Sequence, residues 1–114
     1  MLKADLHMHS TASDGQYTPE EVVRLAHEAG TEIMALTDHD SAEGVLRAAA
    51  EAERLSLRFI TGVEMSCSCG MSKEAHILGY GIDPQNEAFQ RHCRDKAEKS
   101  AERAEEMVNR LCEA

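Results

Sequence analysis

The chain has 114 residues, a length that suits one domain and not two. Apolar residues make up 42% of it, but with no Trp, two Tyr and two Phe the core must be packed by Leu, Ile, Val, Ala and Met. A net charge of −9 excludes binding nucleic acid by charge alone and suits a protein that holds cations, which would offset clustered carboxylates.

In chain order, residues 3–8 read as a short strand and residues 10–18 as a polar loop. "TPEEVVRLAHEAG" carries a full set of helix signals. Thr18 is the N-cap, Pro19 opens the first turn, Glu21 stands three residues after the cap, and Gly30 is the stop. Val22, Val23, Leu25, Ala26 and Ala29 are its expected apolar face. "EIMALT" is a compact apolar run that reads as a buried strand ending at Asp38. Residues 41–55 form a second, Ala-rich helix with Val45, Leu46 and Leu55 inward. "LRFITGVEMS" is a third strand, residues 67–72 a turn, and "EAHILGYGI" a fourth strand that could pair with the third as a hairpin. After Asp83-Pro84 a long helix runs from about residue 86 to 112. Strands alternating with helices predict an α/β fold with a mainly parallel sheet, helices flanking it and a long C-terminal helix.

The chemistry gathers at the strand ends. In "DLHMHSTASDG", alternation along a strand puts Asp5, His7 and His9 on one face and Leu6 and Met8 on the other. Two imidazoles at that spacing can converge on one ion, where a core would want apolar groups. The second strand ends in "TDHD", with Asp38, His39 and Asp40, the third carries Glu64 in "GVEMS", and the fourth opens with His76. In α/β folds, sites are built at such C-terminal strand ends. Imidazole with carboxylate suits Zn, Mn or Fe, and a bridging carboxylate lets two ions sit close together. Taken singly, Asp38 and Asp40 are also good caps and turn formers, Glu64 a surface charge and His76 a half-buried strand residue. Asp5, Asp38 and Asp40 are expected behind the ligands, because a metal-bound imidazole usually gives its other N–H to a carboxylate.

"DLHMHS", "ALTDHD", "GVEMS" and "HILGYGID", in this order, closely resemble the N-terminal part of the PHP (polymerase and histidinol phosphatase) family. "HILGYGID" and Asp14-Gly15 are most similar to its small phosphoesterase branch, which includes nucleoside bisphosphate phosphatases and enzymes trimming short RNA 5′ ends. The resemblance implies a distorted (β/α)7 barrel with two or three divalent ions (Mn, Zn, Fe or Mg) at the strand C-termini. It implies that His7 and His9 bind one ion, that Glu64 bridges it to a second held also by His76, and that Asp14 and His39 take a third. The loop after His9 then returns to the site, and Gly15 frees its backbone to turn. The implied reaction is hydrolysis of a phosphate ester, of a nucleotide or a short RNA end, by a metal-activated water. The family pattern continues with a further His and a late Asp-x-His, whereas the only histidine after His76 is His92. The expectation is therefore one PHP-type domain over residues 1–114, incomplete at its C-terminus. The alternative is a metal-binding or oligomerising module with weak catalysis.

The remaining candidates read as structural. His27 is expected to serve the C-terminus of the first helix and His92 a solvated helix face. Cys93 and Cys112 lie in one predicted helix, roughly 28 Å apart at its rise per residue, and Cys67 and Cys69 in a tight C-x-C, so reduced thiols are expected rather than disulfides. No apolar run is long enough for a membrane and the N-terminus is too polar for a signal peptide, so the expected location is cytoplasmic. Phe89, Cys93, Ala97, Ala101, Ala104, Val108 and Leu111 form an apolar stripe on the last helix, and with an open sheet edge this predicts self-association.

Overall fold

The computed structural model describes residues 1–68, 70 and 73–113. The elements are β1 (Ala4–Asp5), α1 (Pro19–Glu28), β2 (Ile33–Leu36), α2 (Val45–Arg54), β3 (Arg58–Ser68), β4 (Glu74–Tyr80) and α3 (Glu87–Glu113). The chain divides into two compact units, Met1–Pro84 and Gln85–Ala114. The second is essentially the single helix α3; the first holds the sheet, both shorter helices and every residue of the candidate site.

The sheet has the order β1-β2-β3-β4. β1 and β2 pair in parallel, as do β2 and β3, while β3 and β4 form an antiparallel hairpin with Glu64 opposite Leu78 and Ser66 opposite His76. The sheet is thus mixed, parallel where helices cross over and antiparallel where a short turn suffices. Of the turn expected at residues 67–72, Cys67 and Ser68 belong to β3. Cys69, Met71 and Ser72, and with Cys69 the C-x-C reading, lie outside the described residues.

α1 forms where its signals put it. The Thr18 hydroxyl accepts from the Glu21 N–H at 3.2 Å, and Gly30 leaves the helix at φ +81°. The helix end is served by Lys3, whose Nζ donates to the Ala29 carbonyl, while His27 stays exposed in the last turn. α2 begins at Val45, later than expected from residue 41, because the Ser41 hydroxyl accepts from the Glu43 N–H and holds a local turn. On the outer surface Arg47 grips Glu20 through two 2.7 Å bonds, tying α2 to α1 and holding the Glu20 carboxyl below its ordinary value.

The core lies between the two helices and one face of the sheet. Val22, Val23 and Ala26 of α1 and Ala48 and Ala52 of α2 pack with Met34 and Leu36 of β2 and with Leu57. Leu25 and Leu46, expected inward, are about half exposed. Each lies roughly 100° or more round its helix from the centre of the buried stripe. Alternation gives the opposite face of the sheet to Ala35, Ile60, Gly62 and Glu64, and in β4 to His76, Leu78 and Tyr80. This second face is concave. A flat four-stranded sheet would separate its edge strands by roughly 14 Å. Yet the Tyr80 hydroxyl, on the β4 edge, donates to the Leu6 carbonyl just past β1 at 2.7 Å. Gly62 permits the curl, since a Cβ there would lie 2.8 Å from the Thr37 Cγ2 and 2.9 Å from the Leu36 carbonyl oxygen.

Leu36 is fully buried at the centre of this core. Replacing it with Ala is expected to lower unfolding free energy by about 2–5 kcal/mol, read as a reduced urea midpoint at unchanged slope.

Candidate metal centre

The first strand is shorter than residues 3–8. It stops at Asp5, and residues 6–9 leave the sheet as an extended segment. That segment is held at the end of β2, where the Thr37 N–H donates to the Met8 carbonyl at 2.8 Å and the Thr37 hydroxyl at 3.2 Å. His7 and His9 are thereby carried past the sheet and over its concave face. β2 is prolonged on its other side by a parallel bridge between His39 and Glu64. The Glu64 N–H donates to the Asp38 carbonyl and the Asp40 N–H to the Glu64 carbonyl. Asp40 turns the chain there with a positive φ of 48°, a conformation Asp tolerates, and its carboxylate accepts from the Ser66 N–H at 2.9 Å.

Glu64 is the centre of the site. Its side chain is only 7% exposed, yet four imidazoles meet it. His39 Nδ1 stands 2.6 Å and His7 Nε2 2.8 Å from its oxygens, with His76 Nδ1 at 3.5 Å and His9 Nε2 at 3.9 Å. Asp14 forms a second acidic pole, 3.2 Å from His39 Nε2 and 3.6 Å from His9 Nδ1. The rings of His9 and His39 stack at 4.5 Å, and His39 meets His76 edge-on at 5.2 Å. All six residues expected as ligands, His7, His9, Asp14, His39, Glu64 and His76, are therefore in one cluster.

Their donor atoms fall into three overlapping triplets, each within 4.8 Å: His7, His9 and Glu64; His9, Asp14 and His39; His39, Glu64 and His76. Such mixed nitrogen and carboxylate sets fit a divalent transition ion. A second observation supports the fit. His9 Nδ1 is buried without a hydrogen-bond partner, and its 3.6 Å separation from Asp14 is too long for one. A cation between the two would satisfy both.

The three carboxylates expected behind the imidazoles are placed differently. Asp38 is fully buried, and it accepts from the Ser10 N–H at 2.6 Å, the Ser10 hydroxyl at 2.7 Å and the Ser13 hydroxyl at 2.7 Å. It organises the loop that brings Asp14 back to the site. Asp40 binds the β3 backbone, as above, and Asp5 accepts from the His7 backbone N–H at 3.3 Å, not from a ring. Each carboxylate fixes the backbone that carries a ligand. Glu74, which the sequence reading passed over, stands 3.7 Å from His76 Nε2. The glycine after Asp14 also has a different reason to be there. A Cβ on Gly15 would lie 2.5 Å from the His9 carbonyl oxygen and 2.7 Å from its carbon, so the residue is required by close backbone approach.

The PHP domain family pattern matches residues 5–113. The chain belongs to the PHP domain family. It is 43% identical over 107 residues to a 3′,5′-nucleoside bisphosphate phosphatase of Chromobacterium violaceum, which covers 94% of this chain and 37% of that protein. It is 38% identical over 109 residues to the 5′-3′ exoribonuclease Rnm of Escherichia coli, with the same two coverages. A crystal structure of a candidate metal-dependent phosphoesterase from Bifidobacterium adolescentis superposes with a TM-score of 0.88 at 28% identity, over 99% of this chain and 39% of that one. The chain thus spans about two fifths of the length of these PHP relatives. Among the described residues no helix is long and apolar enough to cross a membrane.

Removing the Asp38 carboxylate would strand two buried donors on Ser10 and the part-buried hydroxyl of Ser13. Asp38→Ala is expected to cost roughly 2–5 kcal/mol and to speed amide exchange across residues 10–15 ahead of the rest of the unit, measurable by hydrogen exchange with mass spectrometry.

Proposed function

We propose that this PHP chain provides the metal-holding part of a phosphoesterase that hydrolyses a phosphate ester of a nucleotide or of a short RNA end. The observation that carries the reading is the buried carboxylate of Glu64 with four imidazoles directed at it. The activities of the relatives, on a nucleoside bisphosphate and on RNA, support the substrate class.

His7 and His9 would hold one ion and His76 a second, with Glu64 between them, and Asp14 and His39 would hold a third. His39 faces both acidic poles, Nδ1 toward Glu64 and Nε2 toward Asp14, so its ring couples the outer position to the inner ones. Divalent ions at such a centre polarise a phosphoryl oxygen and lower the pKa of water, so that a nucleophile is available at neutral pH. The residues of this chain supply the rest. Glu64 places a buried carboxylate at the centre of the four imidazoles. The imidazoles, set by backbone anchors on three separate elements, keep their positions without reorganisation. Mn, Zn and Fe are the ions that this mix of imidazole and carboxylate favours.

The free thiols of Cys67 and Cys112 support a reducing, cytoplasmic setting. Exposed Met107, Val108 and Leu111 on α3 offer a second copy of the chain an apolar surface, which supports self-association.

Hydrolysis of a nucleoside 3′,5′-bisphosphate with added Mn²⁺, followed by phosphate release, tests the proposal. His7→Ala and Glu64→Ala are each expected to reduce turnover by about 100-fold or more. Turnover that survives both substitutions undiminished would refute it.

A further inference from the structure

The peptide group joining Leu6 to His7 is held at both of its polar ends. Its carbonyl, on Leu6, accepts from the Tyr80 hydroxyl at 2.7 Å, and its N–H, on His7, donates to the Asp5 carboxylate at 3.3 Å. A peptide group is planar, so holding both ends fixes its plane and the position of the His7 Cα at its edge, which restricts how the Cα–Cβ bond can leave. That bond carries the His7 imidazole, whose Nε2 lies 2.8 Å from Glu64. Since β1 ends at Asp5, no strand ladder does this work for residues 6 and 7.

Tyr80 is well placed for the task. It lies four residues after His76 on β4 and on the same face by alternation, opposite Gly62 on β3, two residues below Glu64. Its ring therefore crosses the concave face one layer beneath the cluster of imidazoles. The same contact joins the two edges of the sheet, so the hydroxyl ties β4, which delivers His76, directly to the segment delivering His7, beside the Thr37 bonds that hold Met8.

We infer that Tyr80 is a positioning residue for the metal centre, acting on His7 through the Leu6–His7 peptide group, with Asp5 as its counterpart at the N–H end. The inference rests on the metal-holding reading above.

The test is a cycle of Tyr80→Phe and His7→Ala, with Zn²⁺ titrated calorimetrically and His7 amide exchange followed by NMR in metal-free protein. Tyr80→Phe keeps the ring and removes only the hydroxyl. It is expected to weaken Zn²⁺ binding roughly 10-fold in the otherwise native chain and to leave it unchanged when His7 is already Ala. Exchange at the His7 amide should quicken in Tyr80→Phe while the core strands keep their protection. An equal loss of affinity in both backgrounds would make Tyr80 a general structural support and overturn the inference, as would native affinity together with native His7 exchange. If the native chain binds no Zn²⁺, the metal-holding reading fails, and the metal-free exchange measurement decides the role of Tyr80 by itself.

Discussion

A carboxylate buried to 7% exposure within the central strand β3, just past the last regular residue of β2, is the constraint on which the rest of this structure depends. Burying a charge is costly unless it is paired, and Glu64 is placed where four imidazoles from three other segments can reach it. Each of those segments needs an anchor at the same end of the sheet. The His39–Glu64 bridge prolongs β2 beyond its last regular residue. The antiparallel hairpin returns the chain so that His76 stands opposite Ser66. Thr37 holds Met8, and so places His7 and His9 between the two.

The two faces of the sheet are built on opposite principles. The helix face is packed by small and medium residues: Ala26, Ala48 and Ala52 let the helices lie close to Met34 and Leu36. The concave face is polar at its rim, and its geometry is set by hydrogen bonds. There, buried Asp38 gathers three donors from Ser10 and Ser13, and Gly15 lets the loop backbone pass against His9. The loop consequently returns Asp14 to the imidazoles as a second negative pole. Satisfied polar networks of this kind specify one arrangement of backbone, which a metal centre of fixed geometry requires.

Much of this was legible in the residues. The signals around Thr18, Pro19 and Gly30 are local, and α1 follows them closely. The apolar run "EIMALT" also reports directly on burial. His7, His9, His39, Glu64 and His76 stood out as imidazoles and a carboxylate on successive predicted strands, Asp14 entered only through the resemblance to the family, and the structure brings all six into one cluster. What was not legible depends on tertiary contacts. Ser41 diverts the start of α2, Leu25 and Leu46 fall outside stripes defined by which side faces the sheet, and residues 6–9 leave the sheet to follow Thr37. The carboxylates of Asp5, Asp38 and Asp40 were expected on imidazole rings and stand instead on backbone amides and serine hydroxyls, because the backbone beneath the ligands is what lacks regular structure. Tyr80 looked like one more strand aromatic; only the curl of the sheet brings its hydroxyl to Leu6.

The central claim is that this cluster is completed by divalent cations. Thermal unfolding of the chain across a titration of Mn²⁺ or Zn²⁺ tests it most directly, since an ion bound only by the folded state raises stability with the logarithm of its concentration. The account predicts a midpoint that climbs steadily with metal for the native chain and climbs much less for Glu64→Gln, which keeps the shape of the side chain, removes its charge and leaves only the His9, Asp14 and His39 position intact. A native midpoint indifferent to metal, or one that climbs equally in Glu64→Gln, would contradict it.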